Sequence, residues 1–393
     1  MAEAWVNPQP KRGWVRIAGL AMTLLLAACQ GAIPKGKAPG TVAPPPPPPI
    51  TSALPEDAAR HRIALLVPLT GPNAAVGQSI ANAANLALID TGGKAIRMTT
   101  YDTGPGAIAA AQRAITDGNR LFLGPLLAAD VRAIAPIAAQ KGVPIVSFSN
   151  DAEVAAGGVY VMGFAPEQAI RRVVEYAASR GVTKFAGLMP TGLYGRNAST
   201  VFLKNVEAAG GKVVALKSYD RNATSLTAAV KTLGVNQPYE AVLIADGGRI
   251  AVTAAPLIRK GQSPNARILG TELWNADGLV ARSPALKGAW YASVADSFYN
   301  KLAVKYRTHY GKEPFRLASL GYDAVLLAVR IGADWKVGTP FPYRDLEDRG
   351  GFSGVDGAFR FGANHVAERA LEVHEVALGG GTIASPAPRG FGN

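Results

Sequence analysis

Cysteine is almost absent from this chain, which has one such residue, Cys29, among 393. A single cysteine cannot form a disulfide within the chain, so a structural cross-link of this kind is excluded. Histidine is nearly as scarce, and its spacing is not typical of a shared metal site. The four histidines are His61, His309, His365 and His374. We therefore expect no metal and no cofactor.

Signatures of several enzyme classes are also missing. No P-loop and no Gly-x-Gly-x-x-Gly follows any apolar run. Asp102-Thr103-Gly104 matches the short signature of aspartic proteases, but that chemistry needs two carboxylates and the chain has no second copy. Gly351-Phe352-Ser353-Gly354-Val355 is one glycine short of a nucleophile elbow and falls in a predicted hairpin. We predict that the chain is not an enzyme.

The chain has few acidic residues relative to basic ones, and its formal net charge is +13. In the main body, however, lysine and arginine are scattered singly, without a basic stripe or interleaved aromatic residues. This pattern does not predict a nucleic-acid partner. Attraction to anionic lipid headgroups or to acidic polymers of the cell envelope stays open.

The N-terminal segment has the parts of a secretory signal peptide. Basic residues precede the apolar run Ile17–Ala28, which is too short to span a bilayer and ends in small residues before the expected cut site. Leu26-Ala27-Ala28-Cys29 also resembles the bacterial lipobox, in which the thiol is acylated and becomes the mature N-terminus. We predict a lipoprotein signal peptide over 1–29 and lipidation of Cys29. Gln30 is not an aspartate-type retention signal, which favours the outer membrane.

A proline-rich segment follows, with six consecutive prolines at Pro44–Pro49. Proline has a fixed φ and no backbone donor, so residues 30–60 are expected to form an extended polyproline II linker. Glycine and proline return in 379–393, for which we expect a flexible tail.

Between these segments, short apolar runs alternate with helical patterns in two consecutive series. The predicted strands are Ile63–Leu69, Ile96–Tyr101, Leu121–Gly124, Val143–Phe148, Lys184–Met189, Lys212–Lys217, Ala241–Ala245 and Arg267–Leu269. Repeated βα units of this kind indicate parallel sheets with helices on both faces. The sequence therefore predicts an α/β fold of two doubly wound parallel-sheet lobes, with a cleft at the carboxyl ends of the strands.

The alternation changes after Trp290, where two successive helical patterns precede a predicted hairpin formed by Phe352–Phe361 and Arg369–Ala377. The chain is therefore expected to cross between the lobes more than twice. The predicted first lobe is 61–165 plus 295–335, and the second is 166–294 plus 336–378. The hinges are expected near Ala165, Val294 and Trp335.

The order of several motifs resembles that of the periplasmic binding proteins of the leucine/isoleucine/valine type. The motifs include Leu66-Val67-Pro68-Leu69-Thr70-Gly71-Pro72, Leu123-Gly124-Pro125, Val143-Pro144-Ile145-Val146-Ser147, Tyr194-Gly195-Arg196, Tyr310-Gly311-Lys312-Glu313-Pro314 and Gly321-Tyr322-Asp323-Ala324-Val325. The resemblance implies two lobes joined by three crossovers (the type I fold), closing on a small ligand. The lipobox, the proline linker and Gly351-Phe352-Ser353-Gly354-Val355-Asp356-Gly357 are similar to those of lipoproteins that activate penicillin-binding proteins, which share the fold.

The resemblance implies that hydroxyls and backbone amides after the third and fourth strands hold a ligand carboxylate. The first of these loops contains Leu126 and no hydroxyl. The second supplies Ser147, Ser149 and Asn150, together with Asp151, which would repel a carboxylate unless it is neutralised. The alternative for these serines is that they are simple turn formers.

In the second lobe, Tyr194 matches a tyrosine that lines the pocket in the family. Asp246 and Glu272 each end a predicted strand and are candidates to bind a ligand ammonium group. The alternative for both acids is helix capping or solvent exposure. Val76 stands where many relatives carry an aromatic residue that packs on the ligand.

Two hypotheses for the function stay open. In the first, the chain is an exported, lipid-anchored receptor that binds a small amino-acid-like ligand and delivers it to an ABC-type permease. In the second, it is a regulator in the bacterial periplasm that activates a penicillin-binding protein, a peptidoglycan synthase, and its cleft is empty or vestigial. The long linker and the altered carboxylate loop favour the second hypothesis.

Overall fold

The computed structural model of the protein describes residues 60–275, 278–388 and 391. The predicted signal peptide, Cys29 and most of the proline linker lie outside the described residues. None of the helices in the described part of the chain has the length and hydropathy that a membrane span requires.

The first lobe is built on a five-stranded, fully parallel sheet. Its strands are β1 (His61–Val67), β2 (Ile96–Asp102), β3 (Phe122–Leu123), β4 (Ile145–Ser147) and β5 (Val159–Val161), in the order β2-β1-β3-β4-β5. The intervening helices are α1 (Ala74–Thr91), α2 (Ala107–Thr116) and α3 (Ala128–Gln140). Helix α1 ends at Gly92, whose left-handed φ of 69° suits glycine.

The side chains of β1 alternate between two buried layers, as both faces of a doubly wound sheet require. Ile63 and Leu65 pack with α1 on one face, whereas Ala64 and Leu66 pack with α2 and α3 on the other. This explains why the strand is a continuous apolar run in the sequence.

The second lobe repeats this arrangement and extends it at one edge. Its parallel strands are β6 (Lys184–Pro190), β7 (Lys212–Tyr219), β8 (Ala241–Ile244), β9 (Arg267–Gly270) and β10 (Trp290–Ser293). Its helices are α4 (Pro166–Ser179), α5 (Leu193–Ala208), α6 (Ala223–Thr232) and α7 (Gly248–Arg259). The parallel order β10-β9-β8-β6-β7 matches the order in the first sheet.

The chain then returns to the first lobe, where it forms α8 (Ser297–Tyr310), α9 (Ala318–Asp334) and α10 (Tyr343–Leu346). A small antiparallel sheet follows, with β11 (Phe352–Gly354), β12 (Gly357–Phe361) and β13 (Ala367–Arg369). Phe352, Phe359 and Phe361 pack in the same core as Ile63 and Leu65. Finally, β14 (Glu372–Ala377) and β15 (Gly380–Ser385) add antiparallel strands beside β10.

Three segments connect the lobes, at 162–165, 294–296 and 370–371. The first two contain Ala165 and Val294, but the third lies well beyond Trp335, which stacks on His61 inside the first lobe. The predicted hinge near Trp335 is therefore wrong. The assignment of 336–369 to the second lobe is wrong for the same reason, because the aromatic residues of this segment belong to the first core.

Two further expectations differ from the structure. Phe352–Phe361 and Arg369–Ala377 do not form one hairpin: β11 and β12 form a hairpin within the first segment, which pairs with the second only at Phe359 and Arg369, and β14 pairs with β10. Gly380–Ser385, expected within a flexible tail, pairs with β14 because the edge of that strand offers free backbone groups. The α/β fold of two doubly wound lobes is confirmed.

Candidate functional site

A cavity of about 450 Å³ lies between the two lobes, and we call it the interlobe cavity. The first lobe contributes the start of α1 and the loops after β3 and β4, while the second contributes the turn after β9 and the end of β10. The segment that precedes α9 completes the wall. The lining residues are Asn73, Val76, Leu126, Leu127, Phe148, Asn150, Phe164, Glu272, Leu273, Asn275, Ser293, Val294, Phe315, Arg316 and Leu317.

A larger depression of about 640 Å³ lies within the first lobe, between α3 and β5. Its wall is mostly apolar, and its Arg132 is paired with Asp151 at 2.6 Å. Among its described lining residues, none has a buried polar side-chain atom without a partner. The interlobe cavity is the better candidate, because two of its lining side chains do have such atoms.

The first-lobe wall of the cavity is mainly apolar. Val76 lies in the first turn of α1, which is held close to the end of β1: a Cβ on Gly77 would lie 1.8 Å from the carbonyl oxygen of Pro68. Leu126 and Asn150, both predicted as site residues, line the cavity beside Phe148. This wall therefore offers apolar contact and the amide side chains of Asn73 and Asn150.

The two predicted serines lie beside the cavity but are not among its lining residues. The Ser147 hydroxyl donates to the carbonyl of Pro125 at 3.0 Å and accepts from the backbone N–H of Ser149 at 3.0 Å. The Ser149 hydroxyl accepts from the N–H of Asp151 at 3.1 Å. Both hydroxyls therefore hold the turn after β4, as expected of turn formers, and their role toward a ligand stays a prediction.

Glu272 lines the cavity from the second lobe, in a 3-10 turn directly after β9. Both of its carboxylate oxygens are buried, and neither has a hydrogen-bond partner among the described residues. Burial raises the pKa of Glu272 to about 7. Its own backbone N–H and the hydroxyls of Tyr194 and Thr271 limit this rise, although none of them is placed to form a hydrogen bond with the carboxylate. An unpaired buried carboxyl group is costly unless a ligand or a proton satisfies it.

Tyr194 stands at the start of α5, behind Glu272, and is not among the cavity's lining residues. Its hydroxyl lies 3.5 Å from the hydroxyl of Thr271. Burial raises the pKa of Tyr194 well above its ordinary value, and the charge of Glu272 adds to the rise. Tyr194 therefore stays a neutral hydroxyl that faces the carboxyl group.

Asp246, the other predicted acid, is already fully engaged. It accepts from the Tyr219 hydroxyl at 2.8 Å, from Nε of Arg221 at 2.9 Å and from the backbone N–H of Gly247 at 2.8 Å. It is not among the residues that line the cavity. Of the two predicted acids, only Glu272 has free carboxylate oxygens, and an ammonium-binding role for either stays a prediction.

Phe164 and Arg316 are among the residues of the cavity wall that sequence reasoning missed. The guanidinium carbon of Arg316 lies 5.8 Å from the centre of the Phe164 ring and 3.9 Å from that of Tyr299. Phe164 belongs to the first crossover, and Arg316 directly precedes α9. The only signal in the sequence was the position of Arg316 between two family-like motifs, which does not indicate a site.

Behind this wall, Arg316, Asp323, Asp356 and Arg369 form a buried ion cluster. Nη1 of Arg316 donates to Asp356 at 2.6 Å, and the backbone N–H of Val355 donates to Asp323 at 2.7 Å. Burial raises the pKa of Asp323, with a further rise from the charge of Asp356, and burial lowers the pKa of Arg369. Nη2 of Arg369 donates to the carbonyl of Met162 at 2.6 Å, so the cluster is tied to the first crossover.

This architecture agrees with the comparisons with known proteins. A family model described as "Periplasmic binding protein" matches residues 61–381. The chain belongs to the periplasmic binding protein family. The resemblance to the leucine/isoleucine/valine type is thereby confirmed, and the match extends through β14.

One relative and two solved structures illustrate the range of this family. An uncharacterised protein of Rickettsia prowazekii (strain Madrid E) is 26% identical over 176 residues, which are 44% of this chain and 47% of that protein, so the chain spans about half the length of this curated relative. The leucine-binding protein LivK of Thermotoga maritima is 22% identical, with a TM-score of 0.62 over 84% of this chain and 99% of that one.

The second structure is the C-domain of LpoA from Haemophilus influenzae, described as a regulator of PBP1A. It is 20% identical, with a TM-score of 0.63 over 82% of this chain and 99% of that one. At these identities both structures show a shared fold. That fold serves a leucine-binding protein in one case and a regulator of PBP1A in the other.

Proposed function

We propose that this chain is an exported, lipid-anchored solute-binding protein that takes a small amino-acid-like ligand into the interlobe cavity and delivers it to an ABC-type permease. The observation that carries the proposal is the carboxyl group of Glu272, which is buried at the cavity and has no partner among the described residues. A ligand ammonium group would satisfy it, while the apolar wall around Phe148 and Leu126 would contact an apolar side chain.

Closure of the two lobes on the ligand would supply the mechanism. The lobes are joined by three short segments, at 162–165, 294–296 and 370–371, which are suited to act as hinges. A ligand that contacts both walls stabilises the closed form over the open one by its extra contacts. The permease would then recognise the closed form. This role involves no catalysis, no cofactor and no nucleic acid.

A thermal-shift experiment with the purified full-length chain tests the proposal. The 20 common amino acids are added singly, and a ligand at about 100 times its Kd is expected to stabilise the protein by about 2.7 kcal/mol.

Because an ammonium group needs an ionised partner, the affinity for an amino acid is expected to rise as the pH increases through 7. Glu272→Gln is expected to abolish that pH dependence, whereas Glu240→Gln, at an exposed acid of the same lobe, serves as the matched control. Absence of a shift with every amino acid contradicts the proposal.

A second candidate function is activation of a penicillin-binding protein. The observations that favour it are the similarity to the LpoA C-domain and the proline-rich linker, which suits a protein that reaches a distant partner. Affinity capture from envelope extracts tests this candidate. This candidate predicts that a peptidoglycan synthase co-purifies with the wild-type chain and equally with the Glu272→Gln variant. It also predicts that amino acids cause no thermal shift.

Lipid attachment at Cys29 is a separate part of the proposal, and it rests on the lipobox-like sequence. Cells expressing the full chain are labelled with a fatty-acid analogue. The label is expected on the wild-type protein and absent from Cys29→Ser, with periplasmic location and preference for the outer membrane read from fractionation. A labelled Cys29→Ser protein would contradict attachment at this thiol.

A further inference from the structure

Arg316 is the one cation among the described residues that line the interlobe cavity. Its side chain is 11% exposed and is fixed by stacking on the ring of Tyr299, 3.9 Å from the guanidinium carbon. Nη1 donates to Asp356 at 2.6 Å and to the hydroxyl of Ser319 at 3.0 Å. One end of the guanidinium group is therefore committed to the buried ion cluster.

The other edge of the same group is unused. Nε and Nη2 are buried and make no hydrogen bond to any described residue. Asp296 approaches this edge, but its Oδ1 lies 3.9 Å from Nη2, which is too far for a hydrogen bond. The same oxygen already accepts from Nδ2 of Asn275 at 2.6 Å. Nε and Nη2 form a planar fork that matches the two oxygens of a carboxylate. Leaving both donors unpaired in a buried place is unfavourable, so the fork favours an anionic acceptor.

The other side-chain donors in the described part of the cavity wall are neutral. Asn73 and Asn150 carry amides, whereas Asn275 and Ser293 already donate to Asp296 and to the Val294 carbonyl. The hydroxyls of Ser147 and Ser149 are used within their own turn, and Leu126 and Leu127 bring only apolar side chains to the wall. On the second lobe, Glu272 contributes an unpaired acid to the same cavity. Arg316 and Glu272, which both line the cavity, thus each carry buried polar atoms without a described partner, with apolar side chains around them.

We propose that Arg316 binds the carboxylate of the ligand through Nε and Nη2, so that the cavity selects small zwitterionic α-amino acids with apolar side chains over their amides and over the matching acids without an ammonium group. This inference rests on the proposed solute-binding function. It adds the residue that binds the negatively charged end of the ligand. It also fixes the orientation of the ligand, whose carboxylate points toward α9 and whose ammonium group points toward Glu272.

The test uses leucine, isoleucine, valine and phenylalanine, each compared with its carboxamide and with its des-amino acid, in calorimetric titrations of the full-length protein. The wild-type chain is expected to bind the amino acid about 10- to 100-fold more tightly than the amide, the effect of losing a charge-assisted hydrogen-bonded pair. Arg316→Lys keeps a cation for Asp356 but loses the fork. In this variant the ratio of acid to amide affinity is expected to fall to within a few-fold of one.

Two comparisons make the result specific. Arg330→Lys, at an exposed arginine of α9 that pairs with Asp348, is the matched control and is expected to keep the wild-type ratio. Glu272→Gln is expected to keep the ratio of acid to amide but to lose the preference over the des-amino acid. If Arg316→Lys does not fold, the neutral pair Arg316→Gln with Asp356→Asn replaces it, since it leaves no unpaired carboxylate in the cluster.

The outcomes separate this inference from the proposed function. If no probe binds to the wild-type protein, the solute-binding function fails and this inference fails with it. If the amino acids bind and Arg316→Lys keeps the full preference for acid over amide, the function stands and the inference is overturned. The carboxylate would then be held by backbone N–H groups at the start of α3.

Discussion

The imidazole ring of His61 lies flat against the indole ring of Trp335, with ring centres 3.8 Å apart and planes 8° apart. Nε2 of His61 also donates to the backbone carbonyl of Trp335 at 2.8 Å. The contact joins the first residue of the first strand to the residue that ends α9, which are 274 positions apart. It anchors the returning segment in the first lobe, whereas the sequence had suggested a hinge.

Trp335→Ala is expected to destabilise the protein by about 3–5 kcal/mol, because the substitution removes a buried indole and leaves a cavity. Urea unfolding followed by circular dichroism measures the loss. Val337→Ala, two residues further on at a side chain that is 49% exposed, is the control and is expected to stay within about 0.5 kcal/mol of wild type. Equal midpoints for the two variants would show that the stack is not a structural anchor.

The sequence was sufficient to predict the parallel strands of both lobes, since buried strands between helices are continuous apolar runs. It did not predict where β11–β13 pack. Alternating apolar and polar residues, such as those of Phe352–Phe361, indicate a strand but not the core against which it packs. In the structure this segment packs against the core around Ile63. Gly380–Ser385 was not predicted as a strand because it begins with two glycines, which are unfavourable in strands. It is a strand because its backbone pairs with the edge of β14.

Glycine has an equivalent role at the start of the helix that follows the first strand of each lobe, α1 after β1 and α5 after β6. A Cβ on Gly77 would lie 1.8 Å from the carbonyl oxygen of Pro68, and one on Gly195 would lie 1.6 Å from that of Pro190. Alanine normally stabilises a helix by about 1 kcal/mol relative to glycine. Gly195→Ala is nevertheless expected to destabilise the protein by at least about 2 kcal/mol, because strand and helix must separate.

Gly247→Ala is the matched control for this substitution. Gly247 also precedes a helix of the second lobe, but its φ of −66° suits any residue and nothing lies within 4 Å of the added Cβ. Urea midpoints of the two variants are compared with wild type. A Gly195→Ala protein as stable as Gly247→Ala would mean that the close approach of α5 to β6 is not required.

Stability should depend on pH through Glu272. Its pKa is about 7 in the fold, against 4.5 for the ordinary side chain, so the folded state retains a proton that the unfolded chain has lost between these values. Stability from this group therefore falls as the pH rises from about 4.5 to 7 and is constant above. Without ligand, Glu272→Gln is expected to gain about 3 kcal/mol relative to wild type between pH 4 and pH 8, at 1.36 kcal/mol per pKa unit.

Glu240→Gln is expected to change the pH dependence of stability in the opposite direction. Backbone N–H groups of Thr183 and Lys184 donate to Glu240 and lower its pKa, so its stabilising effect is present near neutral pH and is lost in acid. Relative to wild type, Glu240→Gln is therefore expected to be less stable at pH 7, with the difference shrinking as the pH falls. Parallel pH profiles for the two variants would contradict the assignment of Glu272.

The candidate site was partly predictable. Glu272 could be found because an acid at the carboxyl end of a parallel strand lies where cofactors and ligands bind in such folds. The hydroxyls of Ser147 and Ser149 could not be assigned, since the sequence does not show that neighbouring backbone groups already use them. Arg316 reaches the cavity only because α9 packs against α1, which is a long-range contact.

The buried ion cluster allows a comparison of buried and exposed ion pairs on α9 and the segment before it. Asp356 is fully buried and accepts from Arg316 at 2.6 Å, whereas Asp348 is 41% exposed and pairs with Arg330 at 3.1 Å. Asp356→Asn is expected to cost about 3–5 kcal/mol, because Arg316 then loses the counter-ion that accepts its hydrogen bond in a place that water does not reach. Asp348→Asn is expected to cost no more than about 1 kcal/mol, because solvent screens the exposed pair.

Unfolding in urea gives both values, and the pH profile of Asp356→Asn adds a second check. Burial raises the pKa of Asp323, with a further rise from the charge of Asp356, so removing that charge is expected to lower it. The fall in stability that Asp323 contributes with rising pH should therefore still begin near the ordinary aspartate pKa but end at lower pH, and be smaller, in the variant. If Asp356→Asn and Asp348→Asn cost the same, Arg316 would not depend on Asp356, and the fixed position of its fork at the cavity wall would need another source.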